Sequence, residues 1–463
     1  MEQLKKKYGL FTAICMVIGI VIGSGIFFKA QDVLAETNGD AIMGTLAWFI
    51  GGLVLIAVAL AFAVMATKYE KVGGVVDYAE ATCGSSYAYY VGWFTSVIYY
   101  PAMTSVLAWV SARYTMVAFF GVSSGDPKAL FSAECITIAT FYLIAIYFIN
   151  SIAPKFAGKL QVSTTIIKLI PLVFIAIVGT VIGLANGTLS TNIVETAGTV
   201  TSGEGGGLFA AVCCTAFAYE GWIIATAINA EIKDAKKNLP IALTVGAFII
   251  VIIYVLYFVG VLGLAKSDVL MAEGTSAAFD FFGPVISTLI NIFVIVSCLG
   301  TLNGLMLGCT RGFYSLSARS QGIRPVTFGQ IDRSTNVPHN SASLALFICV
   351  LWFVYFIGGQ FFGWFGDYAF DSSELPVITI YPIYIPILIR FMVKATDESP
   401  LRRFVIPSLA IVASLVMVVA SVFRHKIAIV WYLIVFVIVM GIGAIIKYFN
   451  SKNTVSANND TEG

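Results

Sequence analysis

The chain has 463 residues, of which 59% are hydrophobic and only 11% are charged. Soluble domains carry about 25% charged residues, so the composition excludes an ordinary soluble protein and predicts a polytopic membrane protein. The formal net charge of +2 is too small to indicate a nucleic-acid partner.

Long apolar runs predict helices that cross the lipid bilayer. A helix needs about 20 apolar residues to span the hydrocarbon core. The runs are long and continuous, which favours helices over the short alternating strands of a membrane β-barrel. Twelve spans are predicted, numbered 1 to 12 in chain order, at residues 9–35, 41–66, 87–120, 131–150, 156–184, 206–230, 240–265, 281–312, 341–358, 373–393, 403–423 and 427–448.

Lysine and arginine are concentrated in alternate loops. Loops on one side of the predicted spans, together with both terminal segments, hold 20 of the 27 Lys and Arg residues, and the opposite loops hold five. Cytoplasmic loops carry the excess of basic residues, so both termini are predicted to be cytoplasmic in a multi-pass protein of the cell membrane. The polar segment 450–463 is predicted to be a short disordered tail.

Span 1 and span 6 contain interruptions that the other spans lack. Span 1 reads VIGIVIGSGIFF at residues 17–28, and span 6 reads CCTAFAYEGWIIATAI at residues 213–228. Small residues in membrane helices often serve only for packing. Interruptions at corresponding positions of two repeats instead favour a transporter with discontinuous helices. The broken ends expose N–H and C=O groups, which suit the carboxylate and the ammonium of an α-amino acid.

Four motifs carry a family resemblance. IGSGIF (22–27), FAYEGW (217–222), NAEIKDAKKNLPIAL (229–243) and SCLGTLNG (297–304) resemble the amino acid–polyamine–organocation superfamily, and within it the L-type amino acid transporters and their bacterial relatives. The resemblance implies an all-α membrane protein with a LeuT-type five-plus-five inverted repeat. Residues 1–449 would form one domain, with repeats at 9–184 and 206–393 and two accessory helices at 403–448.

The resemblance also implies a substrate site at the two interruptions. The backbone amides of Ser24, Gly25 and Ile26 would bind the substrate carboxylate. The carbonyls of Val21, Phe217 and Glu220 would bind its amino group, and the Phe217 ring would form a gate. Tyr219 and Trp222 belong either to this site or to packing. The predicted substrate-binding residues are Val21, Gly23, Ser24, Gly25, Ile26, Phe217, Ala218, Tyr219, Glu220 and Gly221.

Lys168 is a charged residue about 18 Å along span 5, counted from residue 156 at 1.5 Å per residue. It could reach the cytoplasmic surface as a snorkelling lysine. The resemblance implies instead that its ammonium replaces the sodium ion of sodium-coupled relatives, between the break of span 1 and a hydroxyl of Thr301 or Ser297. Transport would then be independent of sodium.

These residues predict a sodium-independent exchanger of small neutral or polar L-amino acids that works by alternating access. Two alternatives remain open, namely a proton-coupled symporter in which Glu220 or Lys168 titrates, and a permease for cationic amino acids selected by Glu220. The Glu220 carboxylate itself could serve a structural role or select the substrate side chain. No role is predicted for Arg113.

Other classes and partners are not indicated by the sequence. The eight cysteines form no CxxC pair, and the two histidines, His339 and His425, lie far apart, so we expect no metal and no cofactor. Neither a nucleophile–base set nor a filter loop points to an enzyme or a channel. The loop GVSSGDPKA (121–129) has no cysteine, so we expect a prokaryotic-type chain without a disulfide-linked heavy chain.

Overall fold

The computed structural model describes residues 9–69, 73–123, 126, 130–199, 206–227, 232–366, 368 and 370–459. All regular secondary-structure elements in these ranges are helices. Several residues used in the sequence predictions lie outside the described ranges, namely Lys5, Lys6, Lys7, Lys71, Lys128, 200–205, 228–231 and 460–463.

Helices occupy every predicted span. They are, in chain order, Leu10–Val21 with Gly25–Glu36, Ala41–Lys68, Ser85–Phe94 with Tyr100–Phe120, Ala133–Ile152, Pro154–Phe174 with Thr180–Ala185, Gly207–Tyr219 with Trp222–Ala227, Ala235–Leu264, Pro284–Ser317, His339–Gln360, Glu374–Lys394, Ile406–His425 and Ile429–Asn459. Single π-helical turns, Thr95–Tyr99 and Ile175–Gly179, join the two parts of span 3 and of span 5.

Among the described residues, nine helices are long and apolar enough to cross a membrane. The number becomes ten if Leu10–Val21 and Gly25–Glu36, which bend by 43° at their junction, count as one span. This count treats Leu401–Asn450 as one stretch, although Lys426 within it adopts a positive φ of 47°. The membrane-spanning helical architecture is therefore confirmed, whereas the number of twelve spans stays a prediction.

The surface of the helices is strongly apolar. Large hydrophobic side chains such as Phe141 and Ile166 are more than 60% exposed, and many more line spans 4, 5, 9, 11 and 12. An exposed apolar surface of this extent is a liability in water, whereas lipid tails solvate it. The distribution of exposed side chains thus agrees with the composition.

In the described part of the chain, three helices of seven or more residues lie in predicted loops. Val75–Cys83 follows span 2, and its Asp77 forms an ion pair with Arg319 at the end of span 8. Thr188–Thr196 lies in the polar segment 185–205, and Ser267–Glu273 follows span 7. The last helix ends at Asn459, nine residues beyond the predicted start of the tail at 450.

Candidate substrate site at the two helix breaks

Span 1 is broken at the glycine-rich motif. The helix Leu10–Val21 ends in extended backbone at Ile22, and a new helix begins at Gly25. Glycine and serine are weak helix formers, and they allow the chain to leave the helix here. The first amides of the helix Gly25–Glu36 have no partner within that helix, as at any helix N-terminus. The break therefore exposes donors on one side and carbonyls on the other.

Span 6 is broken beside its single charged residue. The helix Gly207–Tyr219 ends at Glu220, whose backbone is extended, and the short helix Trp222–Ala227 follows. Between them Gly221 has a φ of 102°, a conformation that is readily accessible only to glycine. The pair of residues Glu220 and Gly221 thus interrupts the helix locally.

The two breaks lie against each other. A Cβ atom added to Gly25 would overlap the backbone of Ala218, so only glycine allows this approach. The hydroxyl of Tyr254, in span 7, lies 3.1 Å from the Val21 carbonyl and 3.2 Å from the Ala218 carbonyl. One buried tyrosine therefore bridges both broken helices, and nothing in its sequence context singled it out.

A cavity opens between the breaks. Seven predicted residues line it, namely Val21, Gly23, Ser24, Gly25, Phe217, Glu220 and Gly221. Ile26, Ala218 and Tyr219 are buried beside the cavity but do not line it. The rest of the wall consists of Ile20, Met103, Leu107, Thr301 and Leu305, of which only Thr301 was predicted, as a candidate partner of Lys168. Met103, Leu107 and Leu305 make the side facing spans 3 and 8 apolar.

The Glu220 carboxylate is held by tyrosines. Its Oε2 accepts a hydrogen bond of 2.7 Å from the Tyr99 hydroxyl, which in turn accepts one of 3.1 Å from the Gly221 amide. The other oxygen, Oε1, has no hydrogen-bond partner among the described residues, although the Tyr381 hydroxyl interacts electrostatically with the carboxylate. Tyr99 belongs to the π-helical turn of span 3 and Tyr381 to span 10. One side chain, 3% exposed, therefore connects the break of span 6 with two other spans.

Tyr219 and Trp222 make packing contacts. The Tyr219 hydroxyl donates to the Trp48 carbonyl at 2.8 Å, and its ring packs against Trp48 and Tyr254. The Trp222 ring packs against Phe62 at a centroid distance of 5.3 Å. These contacts agree with the packing interpretation of both residues.

Lys168 is fully buried and bonded at the break of span 1. Its Nζ donates to the Gly19 carbonyl and, at 2.9 Å, to the Thr301 hydroxyl. The Thr301 hydroxyl lies 3.3 Å from the Ile22 carbonyl. Of the two candidate hydroxyls, the structure brings Thr301 to Lys168, whereas the Ser297 hydroxyl is buried without a hydrogen-bond partner in the described part of the chain. The burial excludes a snorkelling lysine.

A cluster of charges covers the Phe217 side of the cavity. Lys29 Nζ lies 5.4 Å from the Phe217 ring centroid and donates to Glu374 Oε1 at 2.7 Å. Lys29 lies within the helix Gly25–Glu36 and is only 1% exposed. The cluster, here called the outer cluster after the predicted orientation of the chain, consists of Lys29, Asp32, Glu36, Asp371, Glu374 and Arg424.

Helices interrupted in pairs around a buried cavity define a membrane transporter of the LeuT-type fold. The solved structure of MhsT in complex with L-phenylalanine shares this fold, with a TM-score of 0.58 over 92% of this chain and 100% of that one, at 13% identity. A model of the amino acid permease family matches residues 8–451, and the chain belongs to that family.

Two relatives extend this assignment. The chain is 34% identical over 322 residues to the serine/threonine exchanger SteT of Bacillus subtilis (strain 168), which covers 69% of either protein. It is 25% identical to the b(0,+)-type amino acid transporter 1 of Homo sapiens over 91% of this chain and 83% of that one. The protein is therefore an amino acid transporter.

Proposed function

We propose that the protein exchanges small neutral or polar L-amino acids across the membrane, without sodium, by alternating access. The contact of Lys168 with the broken end of span 1 carries this proposal. In related folds, unwound carbonyls of this kind coordinate a sodium ion. Here the Gly19 carbonyl and the Thr301 hydroxyl already accept hydrogen bonds from the Lys168 amino group. A tethered donor that occupies these oxygen atoms removes the need for a dissolved sodium ion.

The two ends of the cavity suit the two charges of an amino acid backbone. The amides of Ser24, Gly25 and Ile26 begin a helix, where partial positive charge favours a carboxylate. The carbonyls of Val21, Phe217 and Glu220 end the preceding half-helices and favour an ammonium. The Val21 carbonyl already accepts a hydrogen bond from the Tyr254 hydroxyl. Only its second lone pair is therefore free to accept a hydrogen bond from the substrate.

The wall of the cavity supports a small side chain. Met103, Leu107 and Leu305 leave an apolar surface opposite the breaks, and Thr301 adds one hydroxyl. A large or charged side chain would have to displace these residues or remain partly unpaired. The name of the serine/threonine exchanger, a relative at 34% identity, fits this substrate class.

Counterflow in proteoliposomes tests the proposal. Vesicles loaded with one unlabelled amino acid would take up labelled amino acids from a panel of twenty, with polyamines added, in sodium or choline buffer. We expect uptake of small neutral amino acids that depends on internal substrate and is equal in both buffers. Uptake that requires sodium, or that ignores internal substrate, would contradict the proposal.

Two alternative functions also need a test, because Glu220 lines the cavity. In a proton-coupled symporter, Glu220 or Lys168 would carry the proton. In a permease for cationic amino acids, the Glu220 carboxylate would bind the substrate side chain. We expect Glu220→Gln to leave the substrate profile unchanged, because Tyr99 and Tyr381 already engage the carboxylate. Selective loss of cationic uptake would support the permease, and loss of a response to a pH gradient would support proton coupling.

The remaining parts of the proposal concern organisation. Residues 9–184 and 206–393 would form the two inverted repeats, and residues 403–448 the accessory helices. Both termini would face the cytoplasm of a prokaryotic cell. The chain would work without a disulfide-linked heavy chain and without breaking a covalent bond.

The orientation is tested by introducing a cysteine at residue 2 or at residue 126 and labelling it from outside the cell. Only the cysteine at residue 126 should react.

A further inference from the structure

Three metal-binding side chains meet beside the outer cluster, from helices that are distant in sequence. Cys213 comes from the first half of span 6, Glu374 is the first residue of the span 10 helix, and His425 is the last residue of the span 11 helix. Their ligand atoms all lie within 4.8 Å of one another. No pattern in the sequence connects these positions, which explains why a metal site was not expected.

The donor atoms of this group are not used elsewhere. Glu374 binds Lys29 through Oε1, while its Oε2 has no hydrogen-bond partner among the described residues. His425 Nε2 is likewise unpaired, and it lies 3.8 Å from Glu374 Oε2. The two side chains are 2% and 9% exposed. At 3.8 Å these two atoms are within ion-pair range but too far apart for a hydrogen bond, so both keep a lone pair for a ligand placed between them.

The thiol of Cys213 completes the set. Cys213 is fully buried, and the one hydrogen-bonding contact of its Sγ among the described residues is a long one, 3.6 Å from the Ser421 hydroxyl. A thiol, an imidazole and a carboxylate are the three side-chain ligands that zinc takes most often, and a water molecule commonly fills the fourth position. Magnesium and calcium prefer oxygen ligands alone.

The surrounding charge favours a cation. The outer cluster contains four carboxylates but only two permanent cations, so its formal charge is −2 with His425 neutral. Lys29 and Arg424 both approach Oε1 of Glu374, at 2.7 and 3.9 Å, whereas Oε2 lies nearer His425.

We infer that Cys213, Glu374 and His425 form a binding site for one thiophilic divalent cation, Zn²⁺ or Cd²⁺, on the predicted outer side. Zinc bonds of 2.0–2.3 Å place tetrahedral ligand atoms roughly 3.5 Å apart, so the three atoms close in by about 1 Å on binding. The Cys213 thiol gives its proton to solvent as the metal–sulfur bond forms. The bound ion joins spans 6, 10 and 11.

The consequence is a lock on the outer side. Alternating access requires elements on each side of the substrate to separate in turn. An ion that joins span 6, which carries the gate residue Phe217, to spans 10 and 11 opposes that separation. External zinc therefore inhibits transport by holding the outer side closed.

Binding is measured on the full-length protein, purified in detergent without chelator. Isothermal titration with ZnCl2 should give one site in the wild type, weakened at least tenfold in Cys213→Ser and in His425→Gln. Matched controls are Cys349→Ser, which removes a thiol from the pair Cys309 and Cys349 (3.8 Å apart), and His339→Gln, which removes the only other histidine. Both should bind zinc as the wild type does.

A second measurement uses the wild-type protein and does not depend on the folding of any variant. CdCl2 should produce the ultraviolet charge-transfer band of a cadmium–thiolate bond in the wild type, and MgCl2 should not. Absence of zinc binding in the wild type, absence of the cadmium band, or unchanged binding in Cys213→Ser and His425→Gln would each overturn the site.

Transport provides the test of the lock. External ZnCl2 should reduce counterflow at least tenfold in the wild type, and the reduction should disappear in His425→Gln and persist in His339→Gln. Binding without inhibition would overturn the lock. Because zinc binding is measured without any substrate, its outcome is independent of whether the exchanger proposal holds.

Discussion

Lys168→Met offers the sharpest test of the internal cation. Methionine has about the length of the lysine stem and no charge, so the change removes two hydrogen bonds while keeping most of the packing. The Gly19 carbonyl and the Thr301 hydroxyl lose their ammonium donor, and both groups are buried. The perturbation therefore acts on the broken end of span 1 and leaves the rest of span 5 in place.

The magnitude follows from these two contacts. A hydrogen bond to a charged group contributes about 1.5–3 kcal/mol, and a buried acceptor left without a partner costs about 1–3 kcal/mol. We take the total free-energy cost of losing both contacts as about 4 kcal/mol. If about half of this cost destabilises the transport-competent state relative to the other states, the transport rate decreases by a factor of roughly 30, since about 1.4 kcal/mol corresponds to tenfold. We expect counterflow by Lys168→Met to fall by one to two orders of magnitude.

The assay is counterflow at equal amounts of protein, with size-exclusion chromatography as the check on folding. Lys159→Met is the matched control, because Lys159 is exposed and lies on the same helix nine residues earlier. The control should transport at the wild-type rate. Wild-type transport by Lys168→Met would refute the reasoning, and partial restoration of that variant by high sodium would strengthen it.

Three further changes test other parts of the structure. Tyr99→Phe removes the donor to Glu220, so we expect the unfolding free energy to drop by about 1–3 kcal/mol in a thermal-shift assay, and an unchanged melting temperature would contradict this contact. Gly25→Ala adds a methyl group against the break of span 6 and should abolish counterflow, whereas Gly441→Ala, which meets nothing within 4 Å, should not; equal activity would contradict the close packing. A hydrogen bond from Lys68 lowers the pKa of Asp397 below its ordinary value. The small contribution of this contact to stability is therefore fully present at pH values above the ordinary pKa of aspartate, and it is lost as the pH falls through the lowered pKa. Melting curves of Asp397→Asn should differ slightly from the wild type at neutral pH and coincide with it in acid, and a difference that persists in acid would oppose this assignment.

The sequence was most informative where a single local feature determines the structure. The break of span 1 follows from consecutive weak helix formers, and the break of span 6 from a charge and a glycine in an apolar helix. The depth of Lys168 follows from the helical rise per residue. Each of these depends on a few neighbouring residues, so no knowledge of the tertiary structure is needed.

Contacts between helices could not be predicted in this way. Tyr254 and Tyr99 lie in runs where many aromatic residues occur, and only the rotation of each helix decides which one faces a break. Lys29 and Glu374 are 345 positions apart in the chain. The apolar wall of the cavity could not be predicted for the same reason. Met103 and Leu107 differ from the other apolar residues of span 3 only in that they face the cavity.

Arg424 has a consequence for how far this protein could be shortened. It lies at the end of span 11, outside the two repeats, yet it is 2.9 Å from Glu36 and 3.6 Å from Asp32 of span 1. A chain truncated after span 10 would keep the complete repeat topology but would leave four clustered carboxylates with Lys29 as the single permanent cation. Like charges at close range in a poorly hydrated environment are costly. The two repeats therefore contain the complete chain topology but lack a cation that their carboxylates need. A shortened version with ten helices would also require acidic residues of span 1 to be replaced.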